Sequence, residues 1–308
     1  MRQAVPMLAV VSPGQGAQAP GMLKSWIEIP AAREALEQFS EAAGIDLIDF
    51  GINADADSIR DTAIAQPLLV ASALAAYAAL EVTPALAAGH SVGEFGAAAV
   101  AGVISPADAV SLVRTRGVAM AEAAAAAEAT SMAAILGGDA DEVAARLAEL
   151  GLTPANMNGG GQVVAAGSAA AIAALIETPP TRARVIQLQV AGAFHTDYMA
   201  PAVPVLAEAA AKVERHEPTI TLLSNYDGAA VASAEAALES LVAQVARPVR
   251  WDLCMDTMLA LGVTGIIELA PGGVLTGLAK RAMKGVPAVA LTSPEDLEAA
   301  RDLARSVA

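Results

Sequence analysis

Cysteine is nearly absent: Cys254 stands alone among 308 residues. A lone thiol excludes an internal disulfide and fits a reducing compartment such as the cytoplasm. Aromatic residues make up only 3% of the chain, which leaves little to stack on nucleic-acid bases. Positive charge is scarce too. The 18 Lys and Arg residues are outnumbered by 33 Asp and Glu, giving a net charge of −15. That balance excludes a general affinity for nucleic-acid phosphates or anionic lipid. The N-terminus lacks a signal-peptide pattern, because Arg2 is followed by too short an apolar run and no cleavage site. One long stretch, Thr62 to Leu80, carries no charge. Gln66 and Pro67 interrupt it and alanine dominates it, so it reads as a buried helix and not as a membrane span.

What is present points to a folded α/β protein. Hydrophobic residues are 55% and charged residues 17%, which excludes disorder. The length suits one large α/β domain carrying a smaller one. Met7–Ser12 is a β-rich apolar run ending at Pro13-Gly14, a strand entering a turn. Helices are expected over 30–43, 66–80, 94–101 and 106–126, with a short strand over 84–89. From Met132 to Gln189 the pattern becomes βαββαβ, that of a ferredoxin-like unit. Beyond it, helices over 197–213, 234–246, 251–261, 273–283 and 294–307 alternate with strands over 220–224, 265–269 and 287–291. Such alternation implies a mostly parallel sheet covered on both faces. The division expected is a large α/β domain of residues 1–127 and 194–308, with a small ferredoxin-like subdomain of residues 128–193 inserted.

Gly89-His90-Ser91-Val92-Gly93 matches G-x-S-x-G between a strand and a helix. Small residues at both flanks permit a sharp turn that exposes the serine at a helix N-terminus, where developing negative charge is favoured. A glycine-flanked loop with a serine N-cap is the competing reading. A serine needs a base, and the chain has only three histidines. His90 adjoins the serine and is expected to point away from it; His216 lies among Arg215, Glu217 and Pro218, a solvated turn. His195, in Gly192-Ala193-Phe194-His195-Thr196, sits where the βαββαβ unit ends and could face an interdomain cleft; its alternative is a core or capping histidine. Pro13-Gly14-Gln15-Gly16 has glycines spaced to bring backbone N–H groups to an anion, with a plain turn as alternative. Arg116 offers a guanidinium fork that fits a carboxylate, if it faces the cleft and not the surface. Arg114, about 200° away around the helix, reads as a surface residue.

Taken together, Pro13-Gly14-Gln15-Gly16, Gly89-His90-Ser91-Val92-Gly93-Glu94, Arg116-Gly117, Gly192-Ala193-Phe194-His195 and Pro248-Val249-Arg250-Trp251 stand in the order of the malonyl-CoA:acyl-carrier-protein transacylases, which the chain resembles over nearly its whole length. Asn156-Met157-Asn158, Ser224-Asn225 and Glu268-Leu269-Ala270-Pro271-Gly272 are similar too. The resemblance implies a hydrolase-like α/β core with a ferredoxin-like insertion. It implies Ser91 as nucleophile, His195 as base, and the N–H groups of Gln15 and Val92 as oxyanion donors. Arg116 would pair with the malonyl carboxylate, Asn158 would line the substrate site, and Phe194 would crowd an α-methyl group and so favour malonyl over methylmalonyl. A main-chain carbonyl, placed at Arg250 where some relatives have glutamine, would orient the histidine.

The activity so implied is transfer of malonyl from coenzyme A to the phosphopantetheine thiol of an acyl carrier protein, through a malonyl-serine ester, with no cofactor and no metal. The expected form is a cytoplasmic monomer that binds neither membrane nor nucleic acid. Carrier proteins are acidic as a class, so docking on this acidic chain needs a local basic patch. Lys280, Arg281 and Lys284 form the best cluster, with a solvated helix end as the alternative. The rival function is a serine thioesterase, which uses the same serine and histidine but delivers the acyl group to water.

Overall fold

Leu8–Ser12 (β1), buried at all five residues, forms the middle strand of a parallel sheet. The computed structural model describes residues 7–307, so the segment around Arg2 lies outside the described residues. After β1 come α1 (Pro30–Ala43), α2 (Leu47–Asn53), α3 (Thr62–Leu80), β2 (Leu86–Gly89), α4 (Gly93–Val100) and α5 (Pro106–Ala126). Next are β3 (Thr130–Gly137), α6 (Ala140–Glu149), β4 (Thr153–Gly159), β5 (Gln162–Ser168), α7 (Ala169–Glu177) and β6 (Ala183–Gln187). The chain closes with α8 (Ala202–Ala210), β7 (Thr221–Leu222), α9 (Ala234–Ala243), α10 (Trp251–Leu261), β8 (Gly265–Glu268), α11 (Val274–Ala282), β9 (Ala288–Ala290) and α12 (Leu297–Ser306).

The first sheet runs β7-β2-β1-β8-β9 and is parallel at every pairing. The second runs β4-β5-β3-β6 and is antiparallel throughout, so the βαββαβ order folds as a ferredoxin-like unit on an α/β core. Period-2 alternation gives this small sheet two apolar faces. Ala133, Ile135 and Ala165 pack under Val143, Leu147, Ile172 and Leu175 of α6 and α7. Met132, Ala134 and Val164 point the other way, toward the main core and the cleft. The outer edge of β4 is tied to the segment that leads into α10. Met157 N–H donates to the Val249 carbonyl at 2.8 Å, and Val249 N–H donates to Ala155 at 2.9 Å.

The uncharged run folds as α3, a core helix with 78% of its most apolar window buried. Asp61 caps its N-terminus by accepting from Ala63 N–H. Pro67 inside the helix has no N–H to give the carbonyl of Ala63 four residues back. Arg114 Nη1 takes that carbonyl at 2.6 Å. Arg114 is therefore not the free surface residue expected of it: it repairs the proline's defect and ties α5 to α3. Gly117 completes the contact, since a Cβ there would stand 2.7 Å from the Thr62 carbonyl oxygen.

Several segments differ from the periodicity reading. The helix expected over 197–213 is a 3-10 turn at Asp197–Met199 followed by α8, with Thr196 capping the turn and Pro201 at the N-cap of the helix. The helix expected over 234–246 ends at Ala243 and tightens into a 3-10 turn at Gln244–Ala246. Strand β7 shrinks to two residues at the sheet edge. At the other end of the sheet, the buried carboxylate of Glu268 accepts from the N–H groups of Gly273, Leu275 and Thr276, which fixes the start of α11.

Arg114→Leu should leave the Ala63 carbonyl without a donor and lower unfolding stability by about 1–3 kcal/mol. Urea denaturation measures this; a loss within experimental error would show that water satisfies the carbonyl.

Candidate active site

The turn between β2 and α4 leaves no room for side chains at its flanks. A Cβ on Gly89 would come within 2.1 Å of the Gly93 carbonyl, and one on Gly93 within 2.3 Å of the Ser12 carbonyl oxygen. This crowding forces Ser91, between them, into the left-handed region at φ 53°. Asn225 holds the strained turn on both sides of the serine. Its Oδ1 accepts from Ser91 N–H at 2.8 Å and its Nδ2 donates to the Gly89 carbonyl at 2.7 Å.

His195, also left-handed at φ 61°, reaches the serine from the loop after β6. Ser91 Oγ and His195 Nε2 are 2.7 Å apart, and His195 Nδ1 lies 2.8 Å from the main-chain oxygen of Gln244. A carbonyl only accepts, so Nδ1 carries the proton and Nε2 is free to accept from the hydroxyl. Burial, and after it the positive charge of Arg116, pushes the imidazole down to about 3. It is therefore neutral near pH 7, the form a general base needs.

Arg116 is almost fully buried at 1% exposure. Its Nη1 donates to Gln66 Oε1 at 2.6 Å, its Nη2 donates to Gln244 Oε1 at 2.9 Å, and its guanidinium carbon lies 5.9 Å from the centre of the Phe95 ring. Burial lowers its pKa to about 10, so it remains a cation at neutral pH. Its Nε has no partner among the described residues.

Gln15, His90, Ser91, Arg116, Asn158, Phe194 and His195 all line one cleft of about 280 Å³ between the two sheets. Val92 is fully buried beneath it at the start of α4. His90 makes no hydrogen bond to Ser91; its Nε2 meets Asn158 Oδ1 at 2.8 Å, which joins the serine turn to the small sheet. His216 is exposed beside Glu214, as a solvated turn requires. Lys280, Arg281 and Lys284 are exposed around the end of α11, whose Val274, Leu275 and Leu278 reach the cleft. Among the described residues no group of three or more His, Cys, Asp or Glu is placed to hold a metal ion.

Arg250 is a correction. Its carbonyl accepts from Cys254 N–H in the first turn of α10, and its side chain forks onto Asp252. The carbonyl that faces His195 belongs to Gln244, exposed where α9 tightens into its 3-10 turn. The bond of Gln244 to His195 carries no sequence signal, because it uses a main-chain atom that every residue has. Gln66 did carry one: a polar residue inside an apolar helix needs a buried partner, and here the partner is Arg116.

A neutral imidazole bonded to a strained serine, beside a buried cation, defines a serine acyl-transfer site. Comparison with known proteins agrees. The acyl transferase domain family model matches residues 10–300, and the chain belongs to that family. The chain is 51% identical over 298 residues to the malonyl CoA-acyl carrier protein transacylase of Mycobacterium tuberculosis, covering 95% of this chain and 98% of that protein. The crystal structure of MCAT from Mycobacterium tuberculosis superposes with a TM-score of 0.92 at 50% identity, over 96% of this chain and 99% of that one. A malonyl-transacylase solved in complex with its type II polyketide synthase acyl-carrier protein superposes with a TM-score of 0.89 at 32% identity, over 96% and 99% of the two chains.

Gly89→Ala should cost about 1–3 kcal/mol or more of stability through overpacking and displace Ser91. Chemical denaturation and fluorophosphonate labelling check this; a stable variant that still labels would show that the turn has slack.

Proposed function

We propose that this acyltransferase moves malonyl from malonyl-CoA to the phosphopantetheine thiol of an acyl carrier protein, supplying fatty-acid or polyketide synthesis. The observation that carries the reading is the placement of Arg116, a buried cation in the same cleft as the bonded pair Ser91 and His195. A guanidinium has five N–H donors, and the two amide oxygens on Arg116 leave donors for an acyl carboxylate. The malonyl-transferring relatives, one of them solved with its carrier protein, support the same substrate and partner.

In the first half-reaction Ser91 Oγ attacks the thioester carbonyl as His195 Nε2 takes its proton. The Nδ1–H bond to Gln244 holds the ring in the tautomer that makes this transfer productive. The oxyanion is received by the N–H groups of Gln15 and Val92, at about 3–4 kcal/mol per donor. The tetrahedral adduct expels coenzyme A as its thiol, protonated by His195, and malonyl remains on Ser91 as an ester. In the second half-reaction the carrier's thiol passes its proton to His195 and attacks the ester, and Ser91 Oγ leaves with that proton. No cofactor enters either half.

The acyl carboxylate also changes the base. Arg116 is one cause of the low basicity of His195. A carboxylate on Arg116 offsets that charge and raises the proton affinity of His195, so an acyl group with a free carboxylate primes its own attack. Phe194, 6% exposed at the cleft wall, crowds an α-methyl group. Basic Lys280 and Arg281 in the last turn of α11, with Lys284 just beyond it, suit an acidic carrier protein.

Ser91→Ala should abolish covalent labelling by radiolabelled malonyl-CoA; stoichiometric labelling that persists would refute the nucleophile. Arg116→Ala should lower kcat/KM for malonyl-CoA by about 2–5 kcal/mol of lost pairing, roughly 30-fold or more, and relatively favour acetyl-CoA. An unchanged malonyl preference would remove the carboxylate clamp, and label released to water at equal rates with and without carrier would favour a thioesterase. Charge reversal at Lys280 and Arg281 should raise KM for the carrier but not for malonyl-CoA; equal effects on both would remove the docking role.

A further inference from the structure

We propose that Glu94 is a positioning residue whose carboxylate, shared between Gln244 and Asn225, holds Ser91 and His195 in their catalytic alignment. The proposal rests on the acyl-transfer reading of Ser91 and His195. Glu94 lies in the first turn of α4, three residues after the serine, and is 2% exposed. It does not line the cleft, so it touches no substrate. One oxygen accepts from Asn225 N–H at 3.1 Å and the other from Gln244 Nε2.

Each partner reaches a different half of the catalytic pair. Asn225 clamps the main chain at Gly89 and Ser91. The Gln244 carboxamide donates to the Ser91 carbonyl at 2.9 Å and accepts from Arg116, while its main-chain oxygen receives His195 Nδ1–H. Both hydrogens of Gln244 Nε2 are thus used, one on Glu94 and one on Ser91. The amide stands between a cation at its oxygen and an anion at its nitrogen, which fixes its orientation. A rotated amide would set its NH2 against Arg116 and drag the carbonyl that orients His195. A glutamine at 94 offers one accepting oxygen where two are needed, so its own NH2 would face a donor.

The test has a pH axis. Burial raises the Glu94 carboxyl to about 7, against the opposing pull of Gln244, Asn225, Ser224 and Arg116. Its folded value is raised, so the accepting anion is present above about pH 7 and is lost as pH falls through it. Three titratable groups near it stay in one form across this range. His195 is neutral down to about 3, Arg116 is charged up to about 10, and burial pushes the Cys254 thiol well above its usual value. Burial moves His90, in the cleft against Asn158, below its usual value and so away from that of Glu94.

Fluorophosphonate labelling of Ser91 should be timed between about pH 5.5 and 9 for the native protein and for Glu94→Gln, with thermal denaturation to verify folding. The native labelling rate should fall as pH drops through about 7. Glu94→Gln should label roughly 100-fold more slowly at the alkaline end, with no such fall, and should lower kcat for malonyl transfer far more than it changes KM. A folded Glu94→Gln that labels at the native rate would overturn the proposal. So would a native profile that is flat through neutrality, which decides the matter even if the variant fails to fold. The phosphonate needs only an activated serine, so these data judge Glu94 alone. Malonyl transfer measured beside them judges the substrate reading.

Discussion

A serine held in the left-handed region of backbone space is the constraint on which the rest of this structure depends. For a residue with a side chain that conformation costs on the order of 1–3 kcal/mol, and His195 stands in the same region. Neither would persist alone. Ser91 is kept there by two glycines with no space for a Cβ and by an asparagine that clamps the turn on both sides. His195 is kept there by the Gln244 carbonyl at Nδ1 and by the serine at Nε2. Because the strain is offset outside the reacting atoms, the hydroxyl and imidazole meet at hydrogen-bond distance without closing motion.

Beneath this pair lies a second constraint, the burial of opposite charges. An unpaired guanidinium or carboxylate in a protein interior is costly, and the cost is contained only when every donor and acceptor finds good geometry. Here Arg116 and Glu94 are joined through the carboxamide of Gln244, and Gln66 fills a second site on the guanidinium. One residue therefore links the buried guanidinium, the serine turn and the imidazole. The absence of an acidic third member from the serine–histidine pair follows from this arrangement. A carboxylate against His195 would be drawn to Arg116, whereas a carbonyl orients the ring without adding charge.

Much of this was legible in the residue order. The two glycines flanking Ser91 announce a turn because only glycine tolerates that crowding. The βαββαβ rhythm from Met132 onward announces an antiparallel unit because alternating apolar residues must bury both faces of a strand. Scarcity helped as well: with three histidines in the chain, one at a domain junction narrows the choice of base. Arg114 was misread, because its partner is a carbonyl freed by Pro67 on another helix. The single long helix read over 197–213 was wrong as well, since Thr196 and Pro201 set local ends that alanine periodicity conceals.

The amino-acid order alone determined the position of the sharp turn and the strand–helix alternation and singled out Ser91, His195 and Arg116 as candidates, because each depends on a side chain or a spacing that can be read in one dimension. The tertiary structure alone decided which carbonyl faces the imidazole. It replaced Arg250 with Gln244, since every residue carries the same C=O and only the end of a helix determines which one is left pointing at a neighbour. It also decided that Glu94, Asn225 and Gln244, far apart along the chain, share one buried network, because polar groups withdrawn from water must find each other in space.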